Sequence, residues 1–229
     1  IAHFRLNLFT TALRLYQKLV LLDASINPLS STISVAIKSC AHLEEIVKGR
    51  IIHHHLIEHD LIKSQDYDDV SLNYSSSSLL YMYARCGSLI EARSLFDLMA
   101  KKSLISWNVM ISAYLHCEEN ASALDLFNQM QREAILLPDN VTLTSALKAC
   151  SMLQDVDQGM NIHRHIIVMD GGDLHVYVTN ALVDMYAKNG ALEEAKHTFF
   201  EISDRNSSVL WNTMISGFVR HGHGYSALN

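Results

Sequence analysis

The chain has 229 residues, 49% hydrophobic and 18% charged, with a net charge of −6. That much apolar material supports a sizeable core and excludes a disordered chain, while two prolines and nine glycines are too few for a turn-rich all-β fold. No uncharged apolar run reaches about 18 residues, so no membrane span is expected, and the acidic total taken alone argues against nucleic acid, although it says nothing of where the charges lie.

In chain order, the sequence opens Ile1-Ala2-His3 without a Met or a secretory or transit pattern and closes Ala227-Leu228-Asn229 without a cap. It therefore reads as an excerpt from which a targeting segment would be missing. An incomplete unit occupies 1–29. The next unit starts at Ser30 and carries Cys40 at its eleventh position and Gly49 at its twentieth. Its extra length, around 60–69 with Asp60, Asp66, Asp68 and Asp69, has no later counterpart and is expected to be an exposed loop. Units then start at Asn73, Leu104, Asn140, Val176 and Ser208, the one at Asn140 again with Cys150 eleventh and Gly159 twentieth.

These units repeat one another. Thr32, Ala36, Lys38, Cys40, Leu43, Gly49, Ile52, His53 and His55 return 110 residues on as Thr142, Ala146, Lys148, Cys150, Leu153, Gly159, Ile162, His163 and His165. Leu79, Met82, Tyr83, Ala84, Gly87, Leu89, Glu91, Ala92 and Phe96 return at a spacing of 103 as Leu182, Met185, Tyr186, Ala187, Gly190, Leu192, Glu194, Ala195 and Phe199. Trp107, Asn108, Met110, Ile111 and Ser112 return at 104 as Trp211, Asn212, Met214, Ile215 and Ser216. Tyr83, Tyr114 and Tyr186 each close an apolar segment before a polar break, after which a second apolar periodicity begins. Leu89, Ala92, Leu95, Phe96 and Met99 lie at i, i+3, i+6, i+7 and i+10, one face of a helix. Each unit thus reads as two amphipathic helices joined by a short turn. Such a pair cannot bury its apolar face alone, but stacked neighbours can, so the expected fold is an all-α solenoid with a concave inner surface.

Ser106-Trp107-Asn108-Val109-Met110-Ile111-Ser112-Ala113-Tyr114 and Leu210-Trp211-Asn212-Thr213-Met214-Ile215-Ser216-Gly217-Phe218 resemble the opening helix of a plant pentatricopeptide repeat. Asn180-Ala181-Leu182-Val183-Asp184-Met185-Tyr186-Ala187-Lys188-Asn189-Gly190 resembles its short variant. Leu147-Lys148-Ala149-Cys150 with Gly159 and Ile162-His163 resembles the long one. Tetratricopeptide repeats share the architecture but have a different Trp/Gly/Tyr/Pro pattern. The resemblance covers essentially the whole chain, and its order matches the PLS subclass: P (1–29, partial), L (30–72), S (73–103), P (104–139), L (140–175), S (176–207) and P (208–229, truncated).

The resemblance implies a right-handed superhelix forming one continuous solenoid. It implies sequence-specific binding of single-stranded RNA in mitochondria or chloroplasts, and for the PLS subclass the choice of sites for C-to-U editing with a deaminase or accessory editing proteins as partners. No cofactor, metal, membrane or DNA partner is expected, and no catalytic constellation stands within these residues. The fifth and last residues of a repeat would read the base edge and the second would pack on its plane, which suits the exposed edges of unpaired bases. Carried over, Asn108 with Asp139 is the uracil-type pair. Asn180 with Ser207 (or Asn206) leans to a pyrimidine, and Ser77 with Ser103 to a purine. The L units give Ser34 with Leu72 and Thr144 with His175, and Asn212 is the fifth residue of the last unit. The base-packing candidates are Tyr74, Ile105, Val141, Tyr177 and Val209.

Other motifs have plainer readings. The four cysteines, Cys40, Cys86, Cys117 and Cys150, form no CxxC and are expected as reduced packing thiols. His53-His54-His55 and His163-Arg164-His165 put their outer histidines at i, i+2, which does not share a helical face, so they and His221-Gly222-His223 are expected in packing or surface roles rather than at a metal. His42-Leu43-Glu44 matches half of a zinc-deaminase signature but lacks the P-C-x-x-C half. Asn120-Ala121-Ser122 and Asn206-Ser207-Ser208 match glycosylation acceptors, which free cysteines make unexpected. Trp107 and Trp211 are expected between helices rather than as stacking platforms. The competing expectation is a protein-interaction solenoid without an RNA role, favoured by the acidic balance.

Overall fold

The computed structural model describes residues 2–22, 28–59, 70–99, 101–133, 136–170, 176–201 and 208–223, without the side chains at 2–6, 21–22, 70–74 and 169–170. Among the described residues there are helices and turns and no strand. They fall into two compact units, residues 1–117 and 118–229.

The first unit holds α1 (Ala2–Leu22), α2 (Ser30–Leu43), α3 (Ile46–Glu58), α4 (Val70–Arg85), α5 (Leu89–Leu98) and α6 (Leu104–His116). The second holds α7 (Asn120–Glu133), α8 (Asn140–Leu153), α9 (Val156–Asp170), α10 (Val176–Lys188), α11 (Leu192–Glu201) and α12 (Ser208–Arg220). Helix α4 starts three residues before Asn73, because Val70, Ser71 and Leu72 contain no helix breaker.

Each unit has the same layering. In the first, α2 packs on α4 and α4 on α6, while α3 and α5 each lie against the first helices on either side of them. In the second, α8, α10 and α12 do the same, with α7, α9 and α11 behind. Among the described residues, the backbones of α3 and α5 stay apart, bridged by the long Arg50 side chain reaching Glu91, and those of α9 and α11 stay apart too. First helices in contact beside second helices held apart give each unit a curvature with the first helices on the inside. Gly217 shows how close that inner layer is: a Cβ there would sit 2.6 Å from Ala187 Cβ.

The turns explain the polar breaks. Each described pair of helices is joined through one left-handed residue, Glu44, Gly87, Glu118, Gln154 or Gly190, and α12 is followed by another, Gly222, with φ of 56°, 72°, 63°, 58°, 79° and 79° in chain order. The residue after it closes the turn at five of the six: Glu45, Ser88, Asp155, Ala191 and His223 donate their backbone N–H to the carbonyl five residues back, at 2.8–3.0 Å. Glycine accepts this conformation freely, whereas Glu44, Glu118 and Gln154 hold it at some conformational cost.

The core follows the repeat. Leu79, Met82, Phe96 and Trp107 are buried in the first unit, as are Leu182, Met185 and Phe199 in the second, each large side chain contributing about 1.5–3 kcal/mol of burial. Trp107 and Trp211 set their edges against Phe96 and Phe199 at 4.9 and 4.7 Å. Trp107 is only 2% exposed, whereas Trp211 stays 47% exposed beyond α10 and α11. Cys40 and Cys150 are free and buried, and burial pushes both thiols up to about 12, so they remain protonated packing residues.

Candidate functional site

The first helices expose one stripe per unit, built by the second, ninth and thirteenth residues of each helix as counted from Ser30, Asn73, Leu104, Asn140, Val176 and Ser208. Residues two, nine and thirteen project to one side because four and seven residues are near-integral numbers of helical turns. The second position carries large apolar side chains in the open: Ile105 69%, Val141 53%, Tyr177 68% and Val209 59% exposed. Single apolar side chains are as exposed on the second helices, Ile90 at 81% and Val168 at 83% among them, so what marks these four is their recurrence at one position and not their exposure. The side chain of Tyr74 lies outside the described residues.

The fifth-position candidates sit one turn further along. Asn108, Ser77, Thr144 and Asn180 are half-buried and Asn212 is exposed, whereas Ser34 is buried. Asn180 Oδ1 is buried with no hydrogen-bond partner, and Thr144 donates its hydroxyl to the Val141 carbonyl at 3.1 Å. The last-position candidates have a structural task as well. Ser103 caps α6, its Oγ accepting from Ser106 N at 3.2 Å. Asp139 caps α8, its Oδ1 accepting from Thr142 N at 2.9 Å while Thr142 Oγ1 accepts from Asp139 N at 3.2 Å. Asn108 belongs to the first unit and Asp139 to the second. Ser207, Asn206 and His175 lie outside the described residues, as does the side chain of Leu72.

Sequence reasoning missed a basic row on the same stripe. Position nine or thirteen carries Lys38, His42, Arg85 and His116 in the first unit, and Lys148, Lys188 and Arg220 in the second, all exposed. The six first helices, α2, α4, α6, α8, α10 and α12, contain one carboxylate, Asp184, bound to Lys188 at 2.7 Å. The second helices carry the acid: Glu58, Glu91, Asp97, Asp125, Glu133, Asp157, Asp170, Glu193, Glu194 and Glu201. From α2 onward the net charge of −6 therefore hides a segregation: the first helices are net basic, and the second helices are net acidic even with Lys48, Arg50, Arg93, Arg132, Arg164 and Lys196 among them. The signal was present in the repeat spacings, since Lys38 recurs as Lys148.

One place gathers these elements. A groove of about 290 Å³ between α10 and α12 is lined by Val209, Asn212, Lys188 and Arg220, with Asp184 and Ser216 beside them. It offers an apolar contact, an amide donor and acceptor, and two cations, which together suit a base and its phosphate.

A fold of paired helices stacked through their first helices, with a polar and basic inner stripe, defines the class of α-helical repeat solenoids. The chain matches the PPR repeat family over residues 102–152 and the PPR repeat at 74–104, 177–207 and 209–229. It belongs to the pentatricopeptide repeat family. It is 34% identical, over 95% of its length, to the Arabidopsis thaliana pentatricopeptide repeat-containing protein At1g59720, chloroplastic/mitochondrial, and covers 33% of that protein. It is 35% identical, over 90% of its length, to At1g11290, chloroplastic, of the same plant, covering 24% of it. The chain thus spans about a quarter to a third of the curated relatives it matches. Among solved structures, the maize pentatricopeptide repeat protein PPR10 superposes with a TM-score of 0.72 over 96% of this chain and 30% of that one, at 17% identity. PPR10 in complex with an 18-nt PSAJ RNA element superposes with a TM-score of 0.67, again over 96% of this chain.

Proposed function

We propose that this chain binds single-stranded RNA along the exposed stripe of its first helices, within a longer organellar protein. The observation that carries the reading is the recurrence on that stripe of three kinds of group at fixed positions: exposed apolar side chains at the second, short polar side chains at the fifth, and Lys, Arg or His at the ninth or thirteenth. A protein scaffold needs none of these in register, whereas a strand of nucleotides presents a base plane, a base edge and a phosphate at every step.

On this reading Ile105, Val141, Tyr177 and Val209 pack on base planes. Asn108, Asn180, Asn212, Ser77 and Thr144 read base edges, with Asp139, Ser103 and Ser207 as their last-position complements, and Asn108 and Asp139 specify a uracil. The order of long and short units supports the PLS subclass, and with it a role in choosing sites for C-to-U editing, the deaminase being supplied by another domain or protein. Relatives named as chloroplastic or mitochondrial proteins support a mitochondrion or chloroplast.

The test is enrichment of a randomised single-stranded RNA pool on this chain joined to its flanking repeats. Asn108→Ala removes the fifth-position amide. Asp139→Ser is preferred to Asp139→Ala, because serine keeps the cap on α8, whose loss would cost about 1 kcal/mol and blur the reading. The expected result is a motif whose uracil preference weakens in both variants while their thermal unfolding stays near that of the parent. Enrichment that is unchanged in both variants would overturn the base assignments. No enrichment at moderate salt would overturn the RNA reading and leave the protein-interaction solenoid.

A further inference from the structure

The long unit of the first half carries four histidines close together at one end of α3, on the helix layer away from the RNA stripe. Two of them have partners elsewhere: His53 Nδ1 meets Tyr83 Oη at 2.8 Å, and His54 Nδ1 lies 3.3 Å from Glu58 Oε2. The other two meet each other. His55 and His59 stand four residues apart, and their ring centroids are 4.4 Å apart with the planes inclined at 44°. The His59 N–H donates to the His55 carbonyl at 3.1 Å, so helical spacing persists through this last turn. His55 also retains a buried Nδ1 without a hydrogen-bond partner.

Two imidazoles at i, i+4 are the arrangement by which a helix presents two nitrogens to one metal, and imidazole selects zinc, nickel and copper over magnesium and calcium. We propose that His55 and His59 form a two-ligand chelate for a borderline divalent cation such as Zn²⁺ or Ni²⁺, its remaining positions open to water or to a ligand from another molecule. Among the described residues no set of three or more His, Cys, Asp or Glu side chains converges to enclose an ion. The chelate is therefore an open clamp on the end of α3 and not a closed structural site of the four-ligand kind. The repeat supplies its own control. His55 recurs as His165, but the residue four further on is Met169, so the second long unit has one ligand of the pair and no clamp.

The experiment is calorimetric titration of this chain with Zn²⁺ and with Ni²⁺ at neutral pH, in parallel with His59→Met, which copies the second unit, and His165→Ala. Mg²⁺ serves as the negative control. His59 is exposed, and circular dichroism checks that the variants keep their helices. The expected result is one tight cation per chain, an affinity lower by roughly tenfold or more in His59→Met, and no change in His165→Ala. In a parallel NMR titration the ring signals of His55 and His59 shift and that of His54 does not. Equal affinity in the parent and His59→Met overturns the proposal, as does an equal loss in His165→Ala or the absence of binding by the parent.

Discussion

Gly159 occupies a point where a side chain has no room. A Cβ there would lie 2.4 Å from Met185 Cε and 2.6 Å from Sδ, and the same holds at Gly49, 2.5 Å from Met82 Sδ. Both methionines are fully buried, so their ends cannot swing into solvent. The glycine thus sets how closely the second helix of a long unit approaches the first helix of the short unit that follows. Two effects compete in Gly159→Ala. Alanine favours the helix by about 1 kcal/mol, while overpacking a buried neighbour costs about 1–3 kcal/mol. The expected outcome is net destabilisation, read as a lower urea midpoint. In a Met185→Ala background the obstruction is gone, and the same Gly159→Ala change should raise the midpoint. A change of the same sign in both backgrounds would show that contact with Met185 is not what keeps alanine out.

At the scale of elements, the two joints between long and short units share a polar lock. His53 Nδ1 and Tyr83 Oη are 2.8 Å apart across α3 and α4, and His163 Nδ1 and Tyr186 Oη are 3.0 Å apart across α9 and α10. Burial lowers the pKa of both histidines. At His53 the neighbouring His54 adds to it, and at His163 the nearby His197 adds to it while Glu201 opposes it. With the folded pKa below the ordinary value of 6.5, the unfolded chain takes up protons first as the pH drops. The stability held by these locks is therefore complete above about pH 6.5 and lost as the pH falls through the lowered folded values. The expected outcome is a fall in urea midpoint between about pH 7.5 and about pH 5.5 that is smaller in the double variant His53→Gln, His163→Gln. An equal fall in parent and variant would assign the pH dependence to other groups. The helices and turns behind these joints were legible in the sequence, since Gly87, Gly190 and the apolar periodicity mark them directly. The locks were not, because His53 and Tyr83 belong to blocks that recur at different spacings, 110 and 103 residues, so no single period links them. Nor were the left-handed residues Glu44, Glu118 and Gln154, whose side chains give no hint of the backbone they adopt.

At the scale of the molecule, from α2 onward, charge is sorted by helix layer and not by sequence position. The composition sums the layers and so points away from RNA, while the stripe presented by α10 and α12 carries Lys188 and Arg220 in one groove with Asn212. The base-edge candidates could be named from the repeat because each is a fixed position in a recurring pattern. The cations escaped notice because Lys, Arg, His and Met share position thirteen, so residue identity hides what geometry repeats. If these cations neutralise phosphates, each contact releases condensed counterions, and the salt dependence of single-strand binding should flatten by about 0.7 in log–log slope for each cation removed. Lys188→Ala and Arg220→Ala are thus expected to weaken binding across all sequences alike and to lower the slope, leaving base preference intact. Arg93→Ala and Arg164→Ala, on second helices α5 and α9, remove the same formal charge from the other layer and should leave the slope unchanged, since contact and not net charge sets ion release. Binding isotherms for the four variants at several salt concentrations separate the two cases. If all four lower the slope equally, the strand is held by the summed field of the chain, and the first-helix stripe is not its track.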